Sequence, residues 1–497
     1  MVSLFVACTS GPGELRNAAH GAHDTVTLFA LNGYDQRVDD WIDPADTHYD
    51  TPFLAPDVQR VQFASLDARY FGTSPDDPSP WNPAFIDARL YSDGGRDIAA
   101  LQTTRLEQFD NSGKPPSQIG YGMNFRPHTK AWIDAIALNV DSAQFAKNTG
   151  FSASRRAIAT TALLARELPT LDPSFYDHDI AGEGYPFDNL QVSAVRPGTP
   201  IYVLGTSVDG GWCYVQTPDL QGWVRSDGLA VVDDAFVDRW RAAFRAMPGV
   251  VITASAPVRD RQGVFRFDAP AGTFLPLLPV AERDKRSDVL VPARDIDGHA
   301  VIRLGTFESG EIVAAPLSAT PRNLAVLLNA LIGHPYGWGN ANFDDDCSAE
   351  LQSIFAAFGV WLPRHSSAQM SAGNLIDLSG STPSARLDYL AQHGAAMRTL
   401  VYIGGHVMLY LGNTSIDGRT VPVVYQDVWG MRPHDNSRRA VIGGSVILPL
   451  LLRYPEDPAL ESLAATPIFQ ISILGKPVSG RSAHDDVNGD EPFGRDE

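Results

Sequence analysis

The sequence predicts an α+β chain of several domains, with two small β-rich modules followed by a larger mixed domain. Three observations carry this. At 497 residues, 44% of them apolar, the chain is long and hydrophobic enough for several cores. Between Ser193 and Pro316, short runs of β-branched and aromatic residues alternate with Pro, Gly and Asp-Gly turn signals. After Pro321 the apolar spacing becomes helical, and from Leu400 it lengthens into strands.

Charge and cysteine usage narrow the function classes. Lys plus Arg number 39 against 58 Asp plus Glu, a net charge of −19, which disfavours nucleic acid and anionic membrane surfaces as partners. No stretch approaches the length of a membrane-spanning helix. The three cysteines, Cys8, Cys213 and Cys347, make neither a disulfide framework nor a metal-site spacing, so no metal or cofactor is implied.

In chain order, Cys8 closes the stretch LFVAC before the polar TSGPGE. This resembles the end of a bacterial lipoprotein signal, although Phe5 stands where Leu is usual and no basic segment precedes it. Residues 1–20 are therefore expected to be a signal remnant with Cys8 as the lipidation site. Export to the periplasm or cell envelope would follow, the membrane being reached only through that anchor. Residues 21–185 read as an N-terminal wrapping or lid region. Dense Asp, Pro and Gly from Asp35 to Pro83 predict irregular structure there. Asn124–Val140 has a polar start followed by a short amphipathic helix. His128 within it lacks a second ligand at metal spacing, so a hydrogen-bonded structural role is expected. Prolines and glycines give Arg166–Gln191 an extended, turning course from which Glu183, Tyr185 and Asp188 project.

Residues 186–247 form the first β module with a linking helix from Asp233 to Met247. Its ending, with Gly222, Trp223, Val224, Asp227, Gly228 and Leu229, looks like a bacterial SH3 domain. Cys213 beside Trp212 reads as inert core. Residues 248–318 make a second SH3-like barrel, and 319–475 the mixed domain. The tail, 476–497, is polar and charged, with little to bury, and reads as disordered.

The chemistry converges on Tyr336–Met370. A Gly-rich turn leads into Asp344, Asp345 and Asp346, and Cys347 follows. Leu351, Ile354, Phe355 and Phe358 then mark one face of a helix closed by Gly359 and Pro363. Cys347 thus falls in a first helical turn, where unpaired N–H groups and the helix dipole favour a thiolate. The aspartates oppose that, so a histidine must supply the compensating charge. His406 lies in the apolar run Leu400–Asn413, read as one strand with a bulge at Gly404 and Gly405. Gln426, on the next strand, offers a carbonyl to orient the imidazole. Asp427 is its rival, and neighbours on a strand face opposite ways, so only one of the two meets His406. The ordered set Cys347, His406 and Gln426 is that of a thiol-dependent hydrolase.

These residues carry a family resemblance. Tyr336, Trp338–Gly339, Asp346–Cys347–Ser348, Leu362–Pro363–Arg364, Ser367 with Gln369, and Gly405–His406–Val407 with Tyr410 and Gly412 resemble an NlpC/P60-type peptidase, a papain-like bacterial family cutting peptidoglycan stem peptides. The upstream run AGEGYPFD, the paired SH3-like modules and NFRPHTKAW are similar to its multidomain branch, over roughly residues 90 to 455. The resemblance implies a papain-like α+β cysteine peptidase domain that needs no cofactor. It also implies hydrolysis of the bond between γ-D-glutamate and meso-diaminopimelate or Lys, with peptidoglycan stem peptides as partner and a monomeric enzyme. Tyr336 and Trp338 would bind substrate beside the Cys347 N–H, and Asp346 and Ser348 would line the stem-peptide subsite. One departure stands out: the third catalytic position, three residues before Trp429, is commonly His in that branch and is Gln426 here. The alternatives are an endopeptidase recycling soluble peptides with a free N-terminal L-Ala, and a catalytically weak wall-binding protein.

Overall fold

A computed structural model describes residues 25–147, 150–279 and 286–475. Cys8, the expected signal remnant and the tail 476–497 lie outside the described residues. Helices and strands are both substantial, and the chain is an α+β assembly of β-rich modules ahead of a mixed domain.

The N-terminal region is more helical than its punctuation predicts. The stretch expected to be irregular contains the helix Pro56–Phe71, with Pro56 at its first position, where a missing N–H costs nothing. Its Leu66 and Phe71 are buried in the main apolar cluster with Trp81, whose indole N–H donates to the Ala157 carbonyl at 2.9 Å. Proline and glycine here mark the ends of a helix. Lys130–Val140 forms the expected amphipathic helix, capped by the Thr129 hydroxyl, which accepts from the Trp132 N–H. His128 stacks on Trp132 with ring centroids 3.8 Å apart, and its Nε2 lies 3.0 Å from the Pro173 carbonyl.

The first barrel is a seven-stranded sheet in the order Gln191–Val195, Leu163–Arg166, Gln221–Arg225, Trp212–Gln216, Pro200–Thr206, Arg156–Ala159, Leu229–Val231. It recruits two strands upstream of residue 186, and the turning run 167–190 is an excursion from the barrel. Cys213 is buried on Trp212–Gln216, and desolvation pushes its thiol up, as inert core requires. The helix Asp234–Ala246, capped by Asp233, links to a second module built of a four-stranded and a three-stranded sheet.

The mixed domain is a seven-stranded sheet in the order Val26–Leu28, Arg439–Pro449, Arg419–Met431, Val407–Ile416, Thr399–Tyr402, Gln470–Ile473, Asn374–Asp377. Val26–Leu28 pairs in parallel with Arg439–Pro449, so the start of the described chain covers an edge of the distal sheet. The helix Cys347–Ala357 packs on that sheet. Its Leu351, Ile354 and Phe355 join one continuous apolar cluster with Val407, Leu409 and Tyr425 of the sheet, Leu324 and Leu327 of Pro321–Leu331, and Val250 and Phe274 of the second module. Burial of this cluster, at about 25 cal/mol per Å² of apolar surface, holds the helix against both neighbours.

The run Leu400–Asn413, read as one bulged strand, is a hairpin. Thr399–Tyr402 pairs antiparallel with Val407–Ile416, Tyr402 opposite Val407. Gly404 and Gly405 have φ of +82° and +72°, and the Ile403 N–H donates to the His406 carbonyl at 3.0 Å. Two successive positive-φ residues reverse a chain tightly with the twist that hairpins need, which glycine permits without strain.

Candidate active site

Cys347 opens its helix and is 5% exposed. Asp346 is the N-cap: its Oδ1 accepts the Ala349 N–H at 2.9 Å. The Cys347 sulfur lies 4.0 Å from the carbonyl oxygen of Gly405, the residue directly before His406. The hairpin tip therefore meets the start of the helix. The Ser366 hydroxyl also donates to this carbonyl, at 3.0 Å, tying the tip down from the far side.

His406 Nε2 and Gln426 Oε1 are 2.7 Å apart. An amide oxygen only accepts, so the ring nitrogen facing it carries the proton and Nδ1 keeps its lone pair. Burial pushes the His406 pKa down to about 4, with the Gln426 hydrogen bond pulling weakly the other way. The imidazole is neutral at neutral pH, the form able to take a proton. Asp427 does not reach this histidine. It faces the other way, among Glu350, Asp345 and Asp346, and burial there raises its carboxyl well above the usual carboxylate range.

The triple aspartate is less anionic than its sequence suggests. Asp346 is ion-paired with Arg364 at 2.6 Å, both buried, and is held below its ordinary pKa despite the opposing effect of burial, by the guanidinium and its hydrogen bonds. Desolvation raises both Asp344 and Asp345. Ser348 donates to Asp346 Oδ1 at 3.0 Å and accepts from Arg364 Nη1 at 2.8 Å. Asp346 and Ser348, expected to line the substrate subsite, are both buried, with their polar groups tied to Arg364 and the helix cap.

The same guanidinium reaches into the first barrel. Arg364 Nε donates to the Ser193 hydroxyl at 2.6 Å and Nη2 to Asn340 Oδ1 at 2.8 Å. Gln191 Nε2 donates to the Gly339 carbonyl at 2.8 Å, and a Cβ at Gly339 would stand 2.7 Å from the Gln191 carbonyl oxygen. The loop before the cysteine is therefore clamped against the barrel, with Gly339, Asn340, Asn342 and Phe343 all left-handed. Ser193 and Gln191 gave no signal in the sequence, because short polar residues on a strand are ordinary until their partners are known.

A groove of about 490 Å³ is lined by Tyr336, His406 and Trp429, and by Gly182 and Phe187 of the barrel's 167–190 excursion. Phe187 makes edge-on contacts with Trp338 (5.2 Å) and Trp429 (5.7 Å). Tyr336 lines the groove, whereas Trp338 is buried against Phe187 and does not line it. Of the residues in the excursion, Asp188 is buried and accepts from Arg166 Nη1 at 2.6 Å, while Tyr185 is exposed.

Three stretches of the chain match models of known families. Residues 173–225 match the SH3 domain model of SH3b1 type, 233–281 that of SH3b2 type, and 333–419 the NlpC/P60 family. Among solved structures, the chain is similar to an NlpC/P60 endopeptidase from Photobacterium damselae subsp. piscicida. The two are 25% identical over 91% of this chain and 99% of that one, with a TM-score of 0.75. It is also similar to an NlpC/P60 family protein from Bacillus cereus ATCC 10987, at 17% identity over 62% of this chain and 98% of that one, with a TM-score of 0.40. No curated protein matches the chain.

Proposed function

We propose that this chain, an NlpC/P60 protein with two SH3b domains ahead of its NlpC/P60 domain, is a cysteine peptidase that cleaves the γ-D-glutamyl–diamino acid bond of peptidoglycan stem peptides. The observation that carries the reading is the 2.7 Å approach of His406 to Gln426, with the Cys347 sulfur 4.0 Å from the carbonyl of Gly405, the residue before His406.

In this reading Nδ1 of neutral His406 takes the Cys347 thiol proton, and the thiolate attacks the γ-carbonyl carbon. The Cys347 N–H, at the helix start, donates to the developing oxyanion with help from Tyr336. The imidazolium, its Nε2–H held by Gln426, returns the proton to the leaving amine of the diamino acid. Water, deprotonated by the same imidazole, then releases the thioester as a free carboxylate. Gln426 fills the place of a His only with its carbonyl towards the ring. An amide N–H pointing there would leave the proton on Nδ1 and block the base.

Replacing Cys347 with Ala should abolish release of diaminopimelate- or Lys-containing fragments from purified peptidoglycan and muropeptides. Undiminished cleavage by that variant overturns the assignment. A second reading, for short soluble peptides with a free N-terminal L-Ala, is favoured by Phe187 of the 167–190 excursion, which lines the groove and packs edge-on against Trp338 and Trp429. Parallel digestion of intact sacculi and free tripeptide decides between wall and soluble substrate. Export and lipidation at Cys8 remain part of the proposal, tested by membrane fractionation of the wild type and of Cys8→Ala.

A further inference from the structure

The groove beside His406 is cationic in an acidic chain. Against a net charge of −19, the charged side chains among its described lining residues are Arg432, Arg439 and Glu461. Such a groove draws an anionic group, and the thiol chemistry uses none of the three. Cys347 is not among the described lining residues, whereas Gly404, His406 and Trp429 are. The groove therefore lies on the imidazole side of the pair. In the peptidase reading the imidazole returns its proton to the leaving amine, so this side receives the diamino acid.

The two arginines are placed differently. Arg439 is 8% exposed; its Nη1 donates to Asn436 Oδ1 at 2.7 Å, and a Cβ on Gly182 would stand 2.5 Å from its Nη2. It braces the 167–190 excursion against the sheet. Arg432 directly follows the strand Arg419–Met431, with its side chain 37% exposed. Among the described residues its guanidinium makes one hydrogen bond, a long one of 3.4 Å from Nε to Glu461 Oε2, so both terminal nitrogens remain available. The Glu461 N–H donates to the Arg432 carbonyl at 2.9 Å, which fixes the two residues side by side through the main chain. A cation and an anion held together on a groove wall match a ligand group that carries both a carboxylate and an ammonium. The side chain of meso-diaminopimelate ends in such a group. Lys carries the same ammonium on the same carbon but no carboxylate, and would leave the guanidinium unmet.

We propose that Arg432 and Glu461 select meso-diaminopimelate over Lys as the leaving residue. The guanidinium takes the distal carboxylate through its terminal nitrogens, and the Glu461 carboxylate takes the distal ammonium. This rests on the peptidase reading and narrows it to one diamino acid. A site built to bind a charged group rejects the analogue lacking it, because its own polar atoms are then left unpaired.

Titration calorimetry of the full chain carrying Cys347→Ala, which should bind substrate without turning it over, tests the charge pair. The probes are L-Ala-γ-D-Glu peptides ending in meso-diaminopimelate, in the same residue amidated on its distal carboxyl, and in L-Lys. The first should bind about 10–100-fold more tightly than the other two. Amidation removes the negative charge and keeps the amine, so this comparison leaves the groove unaltered. Arg432→Gln, at a part-exposed position, should bring the diaminopimelate peptide down to the level of its amide. Glu461→Gln should weaken all three, since each carries the distal amine. Equal affinities, no saturable binding of any peptide, or a preference that survives Arg432→Gln overturns the proposal. Cleavage by the chain with Cys347 intact separates this from the peptidase reading. Diaminopimelate and Lys peptides cut with equal kcat/KM overturn the proposal and leave that reading standing. Preferential binding with no peptide cut supports the charge pair and overturns the peptidase reading.

Discussion

Gln426 and Asp427 are adjacent on the strand Arg419–Met431, yet the two faces they serve differ in kind. On one face Gln426 closes a neutral pair with His406 at 2.7 Å. On the other, Asp427 joins Glu350 in an acid cluster where burial pushes Glu350 up to about 8 and Asp427 higher than usual. Gln426 and Asp427 are both buried, and desolvation penalises charge on each face. It keeps a base uncharged on the first face and acids protonated on the second. The same physics therefore makes a proton acceptor on one side and a store of unmet hydrogen bonds on the other.

This contrast can be broken by substitution. The largest effect is expected from His406→Ala, a fall in peptide hydrolysis of about 10²–10⁴-fold with the fold retained, read by muropeptide turnover beside thermal melting. Next comes Arg364→Ala, which strands the buried Asp346 carboxylate and should cost about 3–5 kcal/mol of stability, measured by denaturant unfolding. A loss under 1 kcal/mol would show that Asp346 is not held by that ion pair. Gln426→Ala should lower kcat by about 10–100-fold, because the imidazole loses the partner that fixes its tautomer. Gln426→His should restore much of it. On the acid face, Asp427→Asn should change stability by less than about 1 kcal/mol and leave kcat nearly untouched, since a protonated carboxyl gives way to a neutral amide. A large loss of activity there would erase the distinction between the faces.

The pH dependence sharpens it. Glu350 is raised in the folded chain from 4.5 to about 8. The unfolded chain therefore ionises first as pH climbs, and stability declines between those values. His406 and His365 are lowered from 6.5 to about 4, by desolvation above all. The unfolded chain protonates first as pH falls, so stability declines from 6.5 downwards. Above pH 6.5 only the acid face acts: melting temperature should drop by a few degrees towards pH 8, and the slope should flatten in Glu350→Gln. Activity should keep its acid limb near pH 4, where His406 gains its proton. An acid limb at 6.5 would mean an ordinary, solvated imidazole.

Much of this was legible in residues 319–475. The helix Cys347–Ala357 follows from apolar spacing behind Asp346, and alternation on a strand already required Gln426 and Asp427 to part ways. The hairpin was hidden, because Gly404 and Gly405 serve a bulge or a reversal equally well, and only the pairing of Tyr402 with Val407 separates the two. The ties of Asp346 and Ser348 to Arg364 were hidden for a related reason. A carboxylate beside a nucleophile looks like a substrate ligand until an arginine, Arg364, is found folded back onto it at 2.6 Å.

By itself the sequence determined the order of modules, the helix that presents Cys347 and the residue types available to the chemistry, since periodicity and turn chemistry act within a few residues of each other. The tertiary structure alone decided which groups are charged, which polar atoms are satisfied and what clamps the loop before the cysteine. Those properties depend on burial and on partners such as Ser193 and Arg364, which are far apart in the chain and meet only when the first barrel closes on the mixed domain.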